Sequence, residues 1–477
     1  MEVIMRRTKI ICTLGPAVDD EKMIRKLIQN GMDCARFNFS HGTYIEQAER
    51  IERVRRVSGE LGIPVALLID TKGPEIRLKD FKGGSAILKE GQSFTLDTDK
   101  ETLGDSTRIG LTYDKLAKSV SEGTRILIDD GKIALKVAQI KGTKVICTVI
   151  NGGKVSNHKS INIPNVSIPM PYLSPVDKKD ILFGIEQKFD YIAASFVRTA
   201  DDVRKLRKFL RDHGGEGMRI IAKIENGEGV KNLDEIIAES DGIMVARGDL
   251  GVEIAFKKIP ALQKIMINKC NEAGKLVVTA TQMLESMTQN PRPTRAEVSD
   301  VANAIYDGTT AIMLSGESAA GDYPAEAVKT MAEIAETTEE SLDYSRYFVR
   351  DHMKMEHTPI NAVCASAYSA ASYLDAEAIV VVTKSGRTAR ILSEFKPTAP
   401  IIAVTMQEEG VRALKLAWGV RPIAAERMET PEALFEYAIK KARETGIVYR
   451  GSTVIVVTSS DTEGSTINDV MRICKIR

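Results

Sequence analysis

The residues able to do chemistry in this 477-residue chain gather at the ends of apolar runs. The most informative run is Ile220-Ile-Ala-Lys-Ile-Glu-Asn-Gly. It reads as a buried parallel strand, and alternate residues of a strand share a face, so Lys223 and Glu225 point the same way at its C-terminal end. A second run, Gly242 to Ala246, ends in Arg247-Gly248-Asp249 and brings another carboxylate to a second strand end. Glu225 and Asp249 suit a hard divalent ion such as Mg2+, whose remaining positions go to water and substrate oxygens, leaving Lys223 beside it for an anionic substrate. The alternative is an ordinary strand-end ion pair between Lys223 and Glu225.

Three further stretches carry unusual polar text. In Ala35-Arg-Phe-Asn-Phe-Ser-His-Gly42, the side chains of Arg36, Asn38 and Ser40 share a period-two face; Asp70-Thr-Lys-Gly-Pro-Glu-Ile-Arg77 follows the next apolar run. Asn38, Ser40, Asp70 and Thr71 offer only oxygen ligands with a single carboxylate, which suits a large monovalent cation; a solvated turn is the alternative. Near the end of the chain, Thr383-Lys384-Ser385-Gly386-Arg387-Thr388 leads from a strand into a helix. It offers hydroxyls, two cations and free backbone N–H groups to a phosphate, against the alternative of a plain Ser/Gly turn.

What must position these residues is a repeated alternation of short apolar runs and stretches of helical period. Eight strand-like runs fall near Lys9–Thr13, Cys34–Asn38, Val65–Ile69, Tyr191–Ser195, Ile220–Ile224, Ile243–Ala246, Leu276–Thr279 and Ala311–Leu314. Helical patterns between them include Asp20–Gln29, Glu46–Glu60, Ala200–Asp212, Ile259–Glu272, Arg295–Tyr306 and Pro324–Glu340. The predicted fold is α/β: a (β/α)8 TIM barrel over residues 1–70 and 172–345, whose chemistry belongs at the C-terminal strand ends. Residues 71–171 change to short alternating runs with hairpin signals at Asp130-Gly131 and Asn151-Gly152, an inserted all-β domain, a small β-barrel placed to act as a lid. Residues 346–477 form a C-terminal α/β domain with a helix at Pro359–Tyr373, a strand at Ala378–Val382, a helix at Pro431–Glu444 and a strand at Val454–Val457.

Composition excludes several function classes. With 66 Lys and Arg against 65 Asp and Glu, no global charge points to nucleic acid or a polyanionic surface. Six scattered cysteines without C-x-x-C spacing read as reduced thiols. The N-terminus lacks a signal-peptide core and no run of about 18 apolar residues occurs, so the expectation is a cytoplasmic protein without membrane contact. His352 and His357, without a third ligand nearby, read as solvated linker residues rather than a metal pair. The methionines of Met283 to Met287 read as core.

Taken together the motifs resemble pyruvate kinase over essentially the whole chain. The matching stretches run from Thr8-Lys-Ile-Ile-Cys-Thr-Leu-Gly-Pro16 through Asn38-Phe-Ser-His-Gly42, Asp70 to Arg77, Lys223-Ile-Glu-Asn226, Met244 to Gly251, Ala280 to Met287 and Pro291 to Glu297 to Met313-Leu-Ser-Gly-Glu317. The resemblance implies transfer of a phosphoryl group from phosphoenolpyruvate to ADP, giving pyruvate and ATP in glycolysis, with Mg2+ (or Mn2+) and K+. It implies that Arg36 contacts substrate phosphate, Lys223 stabilises the phosphoryl group in flight, and Gly248, Asp249 and Thr281 lie at the substrate. Thr281 also leads to a candidate water chain for protonating the enolate. Glu225 and Asp249 would hold Mg2+, and Asn38, Ser40, Asp70 and Thr71 would hold K+. Asn38, His41, Arg77 and Lys159 would face the nucleotide. Two departures from the family pattern are Ser160 after Lys159 and Thr310 before the Met-Leu-Ser-Gly-Glu stretch. The resemblance further implies a homotetramer of bacterial type, ending near the third domain without the extra C-terminal domain that some bacterial relatives carry.

An allosteric effector is expected at Thr383 to Thr388, with Thr458 to Thr466 as a second wall. There Asp461 and Glu463 favour a sugar monophosphate or AMP over a bisphosphate. A metal-dependent lyase of phosphoenolpyruvate or pyruvate is the rival enzyme, separated by whether ADP is needed; a sugar-phosphate sensor without turnover is the rival outside catalysis.

Overall fold

The structure, a computed structural model, describes residues 5–98, 103–344, 358–426, 430–458 and 470–477. Eight parallel strands close into a barrel: Lys9–Thr13, Cys34–Asn38, Ala66–Asp70, Tyr191–Ala194, Arg219–Ile224, Gly242–Ala246, Leu276–Ala280 and Ala311–Leu314. They are apolar at nearly every position because both faces are covered. Alternate residues fill the lumen, among them Ile11, Cys34, Leu68, Ala193, Ile221 and Met244. The intervening residues, such as Ile10, Phe37, Leu67, Ile192 and Ile243, pack outward against the helices. In the fifth strand this parity sets Arg219, Ile221 and Lys223 on one inward face, the first at the barrel floor and the last at its mouth.

Local sequence fixes where the helices begin. Ala200–Asp212 is capped by Thr199, carries Asp201 and Asp202 in its first turn, and buries Val203, Leu206 and Leu210 at helical spacing. Capping boxes pairing Thr43 with Glu46, Ser174 with Asp177 and Thr294 with Glu297 start three more helices.

The insertion after the third strand is a seven-stranded sheet with a two-stranded annex. One antiparallel bridge, Leu78 with Leu111, ties its edges so that it curls into a half-open barrel around Phe94, Leu96, Ile126, Leu135 and Val145. The all-β expectation is corrected by a short helix, Leu116–Ser119. Asp130-Gly131 makes the expected hairpin between Arg125–Ile128 and Ile133–Lys141, with both residues at positive φ. Asn151-Gly152 does not. The chain leaves its sheet there, and Gly153–Ser156 pairs instead with Ser85–Leu88. Close approach explains the glycine: a Cβ on Gly152 would lie 2.3 Å from the Leu88 carbonyl oxygen. The other tight hairpin is at Gly142-Thr143, where Lys141 pairs with Lys144.

Among its described residues the C-terminal domain has five strands in the order Val420–Ala424, Ile401–Thr405, Ala378–Val382, Thr453–Thr458 and Val470–Lys475, the last antiparallel. His352, His357 and Ser459 to Thr466 lie outside the described residues. All six cysteines are free, five of them buried, and no helix among the described residues is long and apolar enough to cross a membrane.

This domain caps the barrel floor. Leu416 joins the lumen cluster from below, Tyr191 Oη donates to the Ala413 carbonyl at 2.6 Å, and Lys415 pairs with Asp33 at 2.9 Å. Arg412 reaches Asp190 at 3.1 Å. Burial pushes the Asp190 carboxyl up to about 6, against the pull of Arg412 and of the Leu67 N–H. A carboxyl raised on folding contributes stability that is complete below its unfolded pKa, near 4, and is lost as pH rises through its folded value. Asp190→Asn cannot ionise. Its stability relative to wild type should therefore improve by about 3 kcal/mol at most between pH 4 and pH 7, read as a converging or crossing pair of thermal midpoints. A constant difference across that range would show that Asp190 is not raised.

Candidate active site at the barrel mouth

Asp70 is the centre of the mouth. It closes the third strand with the inward parity of Ala66 and Leu68 and is 1% exposed. Arg36, on the second strand, donates from Nε to Asp70 Oδ2 at 2.7 Å and from Nη1 to Thr13 Oγ1 at 2.8 Å. Lys223 donates from Nζ to Asp70 Oδ1 at 3.0 Å and to Ser195 Oγ at 2.8 Å. Ser195 Oγ in turn lies 3.1 Å from Asp70 Oδ1 and 2.6 Å from the Thr71 carbonyl oxygen. Burial opposes a charge on Lys223, yet the carboxylates of Asp70 and Glu225 outweigh it and hold the pKa above its usual value. Burial likewise opposes ionisation of Asp70, and Arg36 and Lys223 overcome it, so that carboxyl is held low.

Glu225 Oε2 accepts the Phe196 N–H at 2.6 Å. Its Oε1 lies 2.9 Å from Lys223 Nζ but off the direction of a hydrogen bond, and has no other partner. Burial pushes the Glu225 carboxyl up to about 7; Lys223 pulls it down and Asp249 adds to the rise. Asp249 lies in the first turn of Arg247–Glu253, near enough to act on both Glu225 and Glu75. A buried carboxylate oxygen without a directed hydrogen bond, within electrostatic reach of a second carboxylate, fits a hard divalent cation. Among the described residues no cluster of three His, Cys, Asp or Glu side chains offers an alternative metal site.

The other oxygen set lies along adjoining strand ends. Asn38 pairs in register with Asp70, Thr71 follows Asp70 and accepts the Ser195 N–H on Oγ1 at 3.3 Å, and the Ser40 N–H donates to Asn38 Oδ1 at 3.0 Å. Hydroxyl and amide oxygens with one carboxylate fit a large monovalent cation.

Past the seventh strand the backbone is strained. Thr281 and Gln282 have φ of 67° and 55°, in a region that costs a side-chain-bearing residue about 1–3 kcal/mol. Thr281 Oγ1 donates to the Ala280 carbonyl at 2.6 Å and accepts the Gly248 N–H at 2.8 Å. Arg247 holds the turn: Nη2 donates to the Thr281 carbonyl at 2.6 Å, and Nη1 reaches Asp300 at 2.6 Å.

The lid contributes Arg77 and Lys159. Arg77 donates to Glu75 Oε2 at 2.8 Å and to the His158 carbonyl at 2.9 Å, while Lys159 pairs with Asp129 at 2.8 Å. Burial pushes the Glu75 carboxyl up despite Arg77. Ser160 Oγ donates to Asp130 at 3.2 Å. His41 is exposed on the barrel rim, and no hydrogen bond joins it to Arg77 or Lys159.

Sequence reasoning missed Ser195, Phe196 and Arg247. Ser195 has the parity of Tyr191 and Ala193, so the alternation rule that found Lys223 would have found it. Phe196, at φ 54°, turns its N–H to Glu225 and left no signal in its residue type. Arg247 stood in a motif already quoted, but the partners Thr281 and Asp300 come from the next barrel unit.

The loop Thr383 to Thr388 is remote from this mouth. Thr383 Oγ1 accepts the Gly386 N–H at 3.1 Å, Gly386 has φ of 75°, and a helix runs from Arg387 to Glu394.

Two family models match the chain: one described as pyruvate kinase, barrel domain, over residues 5–328, and one as pyruvate kinase, alpha/beta domain, over residues 361–474. The chain is 46% identical over 469 residues to a pyruvate kinase of Clostridium acetobutylicum, covering 98% of this chain and 99% of that one. It is 46% identical over 466 residues to a pyruvate kinase of Bacillus licheniformis, covering 97% of this chain and 80% of that one. The crystal structure of a pyruvate kinase from Cryptosporidium parvum matches with a TM-score of 0.93 at 39% identity, covering 99% of this chain and 96% of the other. The match over residues 361–474 corrects the expectation of a bacterial type without the extra C-terminal domain: a C-terminal α/β domain of this kind is present.

Proposed function

This chain belongs to the pyruvate kinase family, and we propose that the residues gathered around Asp70 carry its chemistry. It is a phosphotransferase that moves the phosphoryl group of phosphoenolpyruvate to ADP, giving pyruvate and ATP, with Mg2+ (or Mn2+) and K+ as cofactors. Its barrel is taken as residues 1–70 and 172–345, its lid as 71–171 and its C-terminal domain as 346–477.

Phosphoryl transfer needs little covalent help from a protein; it needs positive charge fixed where negative charge spreads. Lys223 supplies that charge, and Arg36 binds the substrate phosphate. Gly248 N–H and Thr281 O–H, now satisfied by Thr281 Oγ1 and the Ala280 carbonyl, are the donors for the substrate carboxylate. Glu225 and Asp249 would hold Mg2+, and Asn38, Ser40, Asp70 and Thr71 would hold K+, supplying fixed positive charge for the phosphoryl transfer. Asn38, His41, Arg77 and Lys159 face the nucleotide, with lid closure bringing Arg77 and Lys159 over it and excluding water. A water chain through Thr281 protonates the enolate.

The observation that carries this reading is the buried Lys223 ammonium, 9% exposed and kept charged by two carboxylates. Lys223→Met should lower kcat by about 10²–10³-fold while leaving phosphoenolpyruvate binding near wild type. Near-normal kcat would remove Lys223 from the role.

Effector regulation acts through the C-terminal domain. The loop Thr383 to Thr388 is the proposed site, for a sugar monophosphate or AMP, since Lys384 and Arg387 stand among hydroxyls at a helix start. Such an effector must bind the active state better than the inactive one. Activation by ribose 5-phosphate or AMP should disappear in Lys384→Ala with Arg387→Ala; activation that survives both substitutions places the effector elsewhere.

A further inference from the structure

Between the barrel floor and the C-terminal domain lies a cavity of about 230 Å³. Five cationic side chains line it, Arg219, Lys275, Arg387, Arg390 and Lys396, against two carboxylates, Asp241 and Glu394. Asp241 is already engaged, accepting from Arg207 at 3.1 Å and from the Ile220 N–H at 2.9 Å. Lys275 is spent on the Ser240 carbonyl at 2.7 Å.

The two arginines that face each other across the seam are not compensated in this way. Arg219 Nε is buried without a hydrogen-bond partner, and among the described residues no carboxylate forms an ion pair with Arg219 or Arg390. Arg390 donates to the Ser385 carbonyl at 3.1 Å. Burial, with repulsion from Arg219 next, pushes its guanidinium down to about 10, against a weaker opposing pull from Tyr191, Asp241 and Glu394. Two guanidiniums held together in a partly buried cavity repel each other, and a doubly charged anion between them relieves both the repulsion and the unmet donors. Leu276, Ile391, Leu416 and Trp418 also line the cavity; Trp418 is 3% exposed, and Lys396 Nζ lies 5.7 Å from the centre of its ring.

We propose that this seam is a second anion site, separate from the Thr383 to Thr388 loop: a phosphate monoester sits between Arg219 and Arg390 with its organic part against Trp418 and Leu416. The charge count favours a dianion over a carboxylate, and the guanidinium fork matches phosphate oxygens in pairs. Arg387 borders both sites, at the start of the helix that carries Arg390. The site is the floor end of the strand face whose mouth end is Lys223.

Trp418 is the single tryptophan of the chain, so its fluorescence reports on this cavity directly. Phenyl phosphate, titrated into the full-length protein at constant ionic strength, should change that fluorescence saturably; benzoate, with the same ring and one charge, should bind at least about tenfold more weakly. Arg219→Gln and Arg390→Gln should each weaken phenyl phosphate by about 10- to 100-fold, the cost of a hydrogen bond to a charged group. Lys384→Ala should leave it unchanged. Arg219→Lys, which keeps the charge and the fold but not the fork, should lie between wild type and Arg219→Gln and provides the test if a glutamine variant does not fold. No saturable change in the wild-type protein, equal affinity for benzoate, undiminished binding in the arginine variants, or loss in Lys384→Ala equal to theirs would each overturn the proposal.

Discussion

One carboxylate, that of Asp70, holds the barrel mouth together. An uncompensated charge at that depth would cost several kcal/mol, and so would either buried cation beside it. Asp70 joins Arg36 from one neighbouring strand to Lys223, two strands away on its other side, with Ser195 spanning the gap between them. The resulting cluster keeps Lys223 charged where desolvation alone would neutralise it. On the proposed mechanism an incoming phosphate dianion meets two cations whose positions were fixed before it arrived, which is the form of electrostatic stabilisation that needs little reorganisation during the reaction.

The barrel makes this arrangement inexpensive in sequence. Period-two parity delivers Arg36, Asp70, Ser195 and Lys223 to one lumen end while Cys34, Leu68, Ala193 and Ile221 fill the layer below. At the periphery of the mouth Phe196, Thr281 and Gln282 hold positive φ, and hydrogen bonds tie two of these turns to neighbours: Phe196 by Glu225, and the Thr281 turn by Arg247. The same parity runs down to Arg219 at the floor, where the C-terminal domain docks through Leu416, Lys415 and Arg412. The proposed catalytic mouth and the docked C-terminal domain thus lie at opposite ends of the same strands.

Much of this was legible in the text of the chain. The eight strands, and helices such as Ala200–Asp212 with its Thr199 cap and Pro324–Glu340 with its initial proline, follow from apolar runs and start signals that act locally. Lys223 with Glu225 was legible because both lie on one strand. Ser195 was within reach of the same parity rule but was not read, and the importance of Arg247 depends on the neighbours that the closed barrel sets beside it. Asn151-Gly152 misled for a related reason: the dipeptide fits a hairpin turn, yet tertiary pairing with Ser85–Leu88 decides where the chain goes. The curl of the lid and the antiparallel edge strand Val470–Lys475 likewise depend on long-range pairing.

The central claim is that Asp70 fixes both cations by its charge and not merely by its shape. The most direct measurement is kcat for phosphoenolpyruvate and ADP in Asp70→Asn, at saturating Mg2+ and K+. The amide keeps the size of the side chain but leaves Arg36 without its carboxylate and Lys223 with Glu225 alone, and the account predicts a fall of about 10²-fold or more. A variant that folds and turns over at the wild-type rate would contradict it.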